Sequence, residues 1–308
     1  MGRIISLNVS NQKGTAKQAV SDVTISATGI AGDVHAGNWH RQISLLPNER
    51  IRAFEAELGR PLTPGAFGEN VTTEELDFST IAIGDTLMLG SAAVEVTQIG
   101  KTCHDNGCAI FAEAGKCIMP TYGLFCRVLT PGIAKPGDSV FHVSRPLKAL
   151  VITLSDRASR GDFADRSGPL IVEMLNAHFV NTPWHLQVET VLIGDDATEL
   201  RYKIIDAVAR HVDIIITTGG TGIGKRDITP ETLISLFHKE IPGIMDFIRM
   251  KHGATLPQAL ISRSVAGVID ETQVYALPGS INAVREYMDE ILRVLEHNLL
   301  MIWGIDAH

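Results

Sequence analysis

The 308-residue sequence has no apolar run approaching the roughly 18 residues at which a membrane-spanning helix is considered. Its start, MGRIISLNVSNQKG, has no apolar stretch of signal-peptide length, and Thr15 lies too far along for a myristoylation signal. Cytoplasmic residence is therefore expected. Positive charge is in short supply: 27 Lys and Arg stand against 35 Asp and Glu, a net charge of −8. That excludes a broad nucleic-acid-coating surface and leaves room for a local basic pocket. There is no internal repeat and no low-complexity tract. Cysteine is scarce, and all four fall in one stretch: Cys103, Cys108, Cys117 and Cys126. In a reducing compartment, such a cluster points to metal binding or reactivity rather than to disulfides. What is present is the composition of a globular protein, 45% apolar and 20% charged, with ample apolar surface to bury. The length accommodates two domains of roughly 100–200 residues.

The two halves have different rhythms. In the first, Arg3–Ser10, Asp22–Ile30 and Arg41–Leu46 read as short strands, and Pro47–Leu58 as a helix with Ile51, Phe54 and Leu58 at helical spacing. Thr86–Gly100 reads as two strands meeting at Gly90–Ser91. Many short strands with glycine corners predict an all-β barrel over residues 1–146. The rhythm changes at Ser144–Lys148, the expected linker. Strands at Ala149–Leu154, Leu186–Ile193, Asp213–Thr218 and Val274–Leu277 then alternate with helices at Ser167–Phe179, Ala197–Ala209, Thr229–Phe237 and Ile281–Ile302. This predicts an α/β domain over residues 147–308, with a mostly parallel sheet flanked by helices.

The sharpest motif is DIIITTGGTGIGKRDITPE, Asp213–Glu231. A buried-type strand runs into Gly219, Gly220, Thr221 and Gly222. Gly224, Lys225, Arg226 and Asp227 follow, and a helix opens with Thr229 as the expected N-cap and Pro230 at its first position. Glycines at this density let backbone N–H groups close on a phosphate, and a loop at the carboxyl end of a parallel strand is where α/β ligands bind. Gly219–Lys225 satisfies the first part of a P-loop pattern. The next residue is Arg226, where Ser or Thr should hold magnesium, which argues against an ordinary P-loop nucleotidase.

TTGGTG followed by RDITPE resembles the molybdopterin adenylyltransferase family. Ser155-Asp156-Arg157, Leu192–Asp196, Ile241-Pro242-Gly243, Ser262-Arg263 and Leu277–Ser280 agree with it in order and spacing. The resemblance covers about residue 148 to the C-terminus. It implies transfer of AMP from ATP to the terminal phosphate of molybdopterin, with Mg²⁺ and commonly as a trimer. Phosphate binding then falls to Gly219, Gly220, Thr221, Gly222, Lys225 and Arg226, with Ser155, Asp156 and Ser280 as further cofactor-binding candidates. Asp195 and Asp227 become the catalytic carboxylates, with Asp227 holding Mg²⁺. Asp195 and Asp196 are neighbours, and the residues alone leave open which of them faces the site.

In the first half, GDVHAG (Gly32–Gly37), RQISLL (Arg41–Leu46), FGEN (Phe67–Asn70) and GLFCRVLTPG (Gly123–Gly132) resemble, in family order, a MOSC domain. This is the β-barrel module of molybdenum-cofactor sulfurases and of molybdenum-dependent reductases of N-hydroxylated compounds. Such a domain implies a cysteine that carries sulfur or ligates molybdenum. Cys108 is the first choice and Cys103 the second; Cys117 is a third candidate, and Cys126 reads as a buried small residue. Structural zinc is the bland alternative, but the spacings C-x₄-C, C-x₈-C and C-x₈-C contain no C-x₂-C pair. Arg41 is a candidate for a cofactor phosphate, and His35 and His40 read as turn residues or anion contacts. Pyridoxal phosphate is a further family association.

The expected function is thus molybdenum-cofactor biosynthesis, with ATP and molybdopterin as partners and neither nucleic acid nor membrane. Other readings are a non-catalytic cofactor carrier, a molybdenum-dependent reductase loaded by its own C-terminal half, and a scaffold.

Overall fold

The computed structural model describes residues 1–101 and 109–305. The chain folds as two compact units, Met1–Arg145 and Pro146–His308. None of the helices of the described residues is long and apolar enough to cross a membrane.

The first unit contains β1 (Gly2–Val9), β2 (Gln18–Val20), β3 (Val23–Ser26), β4 (Gly29–Ile30), β5 (Ile43–Pro47), β6 (Val71–Glu74), β7 (Thr86–Leu89), β8 (Ala92–Ile99), β9 (Leu124–Thr130), β10 (Gly132–Ala134) and β11 (Ser139–Val143). Its sheet runs β11-β7-β8-β9-β5-β6-β1, and β1 pairs again with β11, Gly2 opposite Val140. The strands therefore close into a barrel, which removes free sheet edges. Alternate side chains such as Leu87 and Leu89 of β7 and Val94 and Val96 of β8 fill the interior, all fully buried. The stretch Asp22–Ile30, read above as one strand, is a tight hairpin with Ile25 opposite Ile30; Gly29, at φ +118°, turns the chain there. Among the described residues, this unit has three helices: α1 (Asn48–Leu58), α2 (Ala109–Ala114) and α3 (Met119–Tyr122). α1 buries Ile51 and Phe54 against Leu46, Phe67, Met119 and Phe125, a second apolar cluster.

The second unit contains β12 (Pro146–Leu154), β13 (His185–Ile193), β14 (Ile214–Thr218), β15 (Lys239–Glu240), β16 (Ala266–Ile269) and β17 (Thr272–Leu277). Its helices are α4 (Asp156–Ser159), α5 (Ser167–Phe179), α6 (Ala197–Ala209), α7 (Thr229–Ile234), α8 (Pro242–Gly253) and α9 (Ile281–Ile302). The sheet order is β13-β12-β14-β17-β16-β15. The first four strands are parallel, whereas β16 and β15 add antiparallel, so the sheet is mixed. Leu150, Ile152 and Leu154 of β12 pack with Leu200 and Ile204 of α6 on one face. On the other face, α5 packs against α9 and against β12. Val284, Met288, Ile291, Leu295 and Leu299 of α9 are all fully buried, as their helical spacing requires.

Candidate functional site

Four parallel strands deliver four loops to one end of the second unit's sheet. β14 ends at Thr218, and Gly219 and Gly220 follow at φ +104° and +63°. A Cβ at Gly219 would lie 2.3 Å from the carbonyl oxygen of Leu154, the last residue of β12. The Gly219 N–H donates to Leu277 O (3.0 Å) and the Thr218 hydroxyl to Pro278 O (2.9 Å), which joins this loop to the end of β17. A side chain at Gly219 would push into the end of β12 and one at Gly220 into the Thr229 side chain, so the crowding accounts for the residue type.

Asp156, just past β12, and Asp195, just past β13, exchange hydrogen bonds. The Asp156 N–H donates to Asp195 Oδ2 (3.3 Å), and the Asp195 N–H to Asp156 Oδ1 (3.1 Å). Asp196 instead caps α6, accepting from the N–H groups of Thr198 and Glu199 at 2.8 and 2.9 Å. Of the two neighbours, Asp195 therefore faces the glycine loop, its Oδ1 lying 3.8 Å from the position of a Cβ at Gly220. Arg226 reaches Asp156 Oδ2 at 2.5 Å. Asp227 closes its own turn: its Oδ2 accepts from the Gly224 N–H (2.7 Å), and its N–H donates to Gly224 O (3.1 Å). Lys225 is exposed. The structure brings Asp156, Asp195, Gly220 and Arg226 together, with Asp227 braced in the same loop.

Three details differ from the sequence reading or go beyond it. Thr229 is not the N-cap of α7; Ile228 holds that position without a side-chain cap. The Thr229 hydroxyl donates instead to Gly219 O (2.9 Å), and its N–H to Gly220 O (3.1 Å), so this residue ties the loop to the helix. Ser155 caps α4 through Ala158 N, and Ser280 caps α9 through Ala283 N. Arg263 carries more structure than its place in the sequence suggested. Its N–H takes Thr221 O (2.9 Å), its Nε takes Gly222 O (2.6 Å) and its Nη2 takes Asp227 O (2.9 Å), while Nη1 pairs with Glu231. Every peptide bond in the described chain is trans, so each captured carbonyl sends the following N–H the opposite way. Arg263 thereby turns the N–H groups of Gly222, Ile223 and Ile228 away from itself, and among the described residues none of them meets an acceptor. Amides left without an acceptor on a glycine turn are donors suited to an anion.

The first unit gathers a second polar cluster. Lys17 and Asp33 form an ion pair at 2.7 Å, with side chains 1% and 0% exposed. Burial pushes the Lys17 ammonium below the ordinary lysine range, against the hydrogen bond and charge of Asp33. Burial pushes the Asp33 carboxyl up, but hydrogen bonds from Lys17 and from the His35 backbone N–H, with the Lys17 charge, hold it well below the carboxylate range. The Arg41 guanidinium lies 5.0 Å over the Trp39 ring, whose Nε1 donates to His35 O (2.7 Å). Glu69 is buried, which raises its pKa, and its oxygens accept from Gly65 N, Phe67 N and the Thr72 hydroxyl. Asn70 bridges the Ser44 N–H to Asn8 O. Both therefore brace the barrel end. Cys103 and Cys108 lie outside the described residues. Cys117 is half-buried beside the Phe54 and Phe67 cluster, and Cys126 is fully buried, which pushes its thiol pKa up.

The family model described as a probable molybdopterin binding domain matches residues 150–297, and that of the MOSC domain matches residues 32–141. A molybdopterin adenylyltransferase from Pyrococcus furiosus is 35% identical over 156 residues, 48% of this chain and 88% of that protein. The chain joins a MOSC domain to a member of the molybdopterin-binding family. A molybdopterin adenylyltransferase from Helicobacter pylori is 31% identical over 155 residues, 50% of this chain and 86% of that protein. A molybdenum cofactor biosynthesis bifunctional protein from Synechococcus elongatus is 33% identical over 158 residues, 51% of this chain and 48% of that protein. All three matches span about half of this chain, as the molybdopterin-binding domain does.

Proposed function

We propose that the molybdopterin-binding domain transfers AMP from ATP to molybdopterin, and that the MOSC domain binds the cofactor through Cys108 or Cys103. The observation that carries the first part is the Arg263-braced glycine loop facing Asp195 and Asp156 across the ends of the parallel strands. Relatives named as adenylyltransferases at 31–35% identity support it. An oxygen of the pterin's terminal phosphate attacks the α-phosphorus of ATP. The bond from that phosphorus to the bridging oxygen breaks, and the electron pair leaves with pyrophosphate. The unpaired amides of Gly222 and Ile223, with Lys225 and Arg226, hold the polyphosphate and stabilise charge as it moves. The carboxylates of Asp227, Asp195 and Asp156 are hard oxygen donors that would hold a magnesium ion. It would neutralise charge on the departing pyrophosphate. Arg226, paired with Asp156 in this structure, exchanges that carboxylate for a phosphate when the nucleotide arrives.

The direct test is pyrophosphate release from Mg-ATP by the full chain, with and without molybdopterin. Release that requires the pterin is expected. Tight pterin binding with no release would replace the transferase with a carrier. Arg263→Ala frees two loop carbonyls, Gly222 O and Asp227 O, both held by the charged guanidinium. A loss of about 2 kcal/mol in nucleotide binding is expected, or roughly 30-fold in affinity. It would be read as a rise in KM for ATP larger than the fall in kcat, and an unchanged KM would remove Arg263 from the account.

A further inference from the structure

The structure assigns a positioning role to Lys17, outside the adenylyl-transfer reading: it fixes His35 as a neutral imidazole with its proton on Nε2. The argument is a count of donors and acceptors. A lysine ammonium has three N–H donors and accepts nothing. With a side chain 1% exposed, Lys17 has almost no water to donate to. Its Nζ lies 2.8 Å from Asp33 Oδ1, 2.7 Å from Asp33 Oδ2 and 3.1 Å from His35 Nδ1. The two carboxylate oxygens lie too close together to take one N–H each, so one N–H bridges them and another is left for Nδ1; because an ammonium accepts nothing, that bond exists only if Nδ1 is an unprotonated acceptor.

The alternative puts the ring proton on Nδ1 and points it at Asp33 Oδ1, 3.3 Å away. Asp33 does not need it. A carboxylate offers about four lone-pair sites. Oδ1 already accepts from Lys17 and from the His35 backbone N–H (2.9 Å), and Oδ2 from Lys17 and the Ser10 N–H (3.1 Å). A proton on Nδ1 would add a fifth, longer bond and would set an N–H against the Lys17 ammonium at 3.1 Å. Glu69 and Lys101 are the other charges whose field reaches Lys17, and they oppose one another.

With Nδ1 occupied by Lys17, the remaining ring nitrogen carries the proton. The His35 side chain is 34% exposed, and no hydrogen bond is made by Nε2 among the described residues. Trp39 holds the backbone of His35 in place and carries Arg41 on its ring. The barrel therefore presents one fixed, uncharged N–H donor, and a ligand bound at this edge must bring a hydrogen-bond acceptor to it. A histidine in the other tautomer would demand a donor instead.

The test uses the full chain labelled with ¹⁵N in its histidine rings, read by long-range ¹H–¹⁵N correlation near neutral pH. The His35 signals are identified by their absence in His35→Gln. Nδ1 at the unprotonated position with Nε2 protonated is expected. A protonated Nδ1, whether in the other tautomer or in an imidazolium, would overturn the inference. The cause is tested in the double variant Lys17→Met/Asp33→Asn, which removes both buried charges together and leaves neither unpaired. There the His35 ring is expected to lose its single tautomer, with Nδ1 moving towards the protonated position. An unchanged spectrum in the folded double variant would show that Lys17 does not set the tautomer. The wild-type spectrum decides the tautomer itself whether or not that variant folds.

Discussion

Asp227→Asn is expected to lower the kcat of AMP transfer by about 10²–10³-fold while leaving thermal stability nearly unchanged. Two roles meet in this carboxylate. Its Oδ2 accepts the Gly224 N–H at 2.7 Å and lies 2.8 Å from where a Cβ at Gly222 would stand, so it shapes the loop. It also carries a negative charge, with Oδ1 making no hydrogen bond among the described residues. Asparagine keeps an oxygen that can take the same N–H, so the loop survives and only the charge is lost. Asp227→Ala removes both, and a raised KM for ATP should then join the loss in kcat. Steady-state pyrophosphate release by the two variants separates the roles. If Asp227→Asn kept full kcat while Asp227→Ala lost it, the carboxylate would be a loop brace and the charge would have to come from Asp195 or Asp156.

The sequence displayed this part of the site well because its geometry is written in contiguous residues. Consecutive glycines after an apolar strand have few uses besides positive φ and close approach, and Gly219 and Gly220 show both. What lay beyond reach depended on distance along the chain. Arg263 grips carbonyls 36 and 41 residues away, and a carbonyl acceptor leaves no trace in residue identity. Asp195 and Asp196 could not be separated, because which of two adjacent acids caps a helix depends on the backbone angles between them. Lys17 sits in NQKGTAKQ, which reads as a solvated turn. Its burial arises where the Lys17 N–H meets Gly65 O, 48 positions along the numbering. The antiparallel edge of the second sheet escaped notice because β15 and β16 have two and four residues, too few to show a period. α8 was hidden by its Pro242-Gly243 opening, which resembles a turn as much as a helix start.

Gly219→Ala is expected to be among the most damaging single-methyl additions in the second unit. At φ +104°, an L-residue is strained by about 1–3 kcal/mol before any contact is considered. The added Cβ would stand 2.3 Å from Leu154 O and 3.5 Å from the Leu154 side chain. Leu154 ends the β12 strand, which is paired on both sides, by β13 and β14, so neither backbone yields easily. Overpacking of this kind adds typically 1–3 kcal/mol. The two contributions together come to roughly 2–6 kcal/mol, a large share of a domain's usual margin. In a thermal melt, the second unit should lose about 4 °C at the least, at roughly 2–4 °C for each kcal/mol. Gly243→Ala is the matched control. Gly243 lies in the first turn of α8, is exposed, and has nothing within 4 Å of an added Cβ. There alanine should be neutral or stabilising by up to about 1 kcal/mol, through helix propensity and a less flexible unfolded chain. Equal melting temperatures for the two variants would mean that the Gly219 loop relaxes at little cost. The close approach of β12 to the glycine loop would then no longer explain why glycine stands at that position.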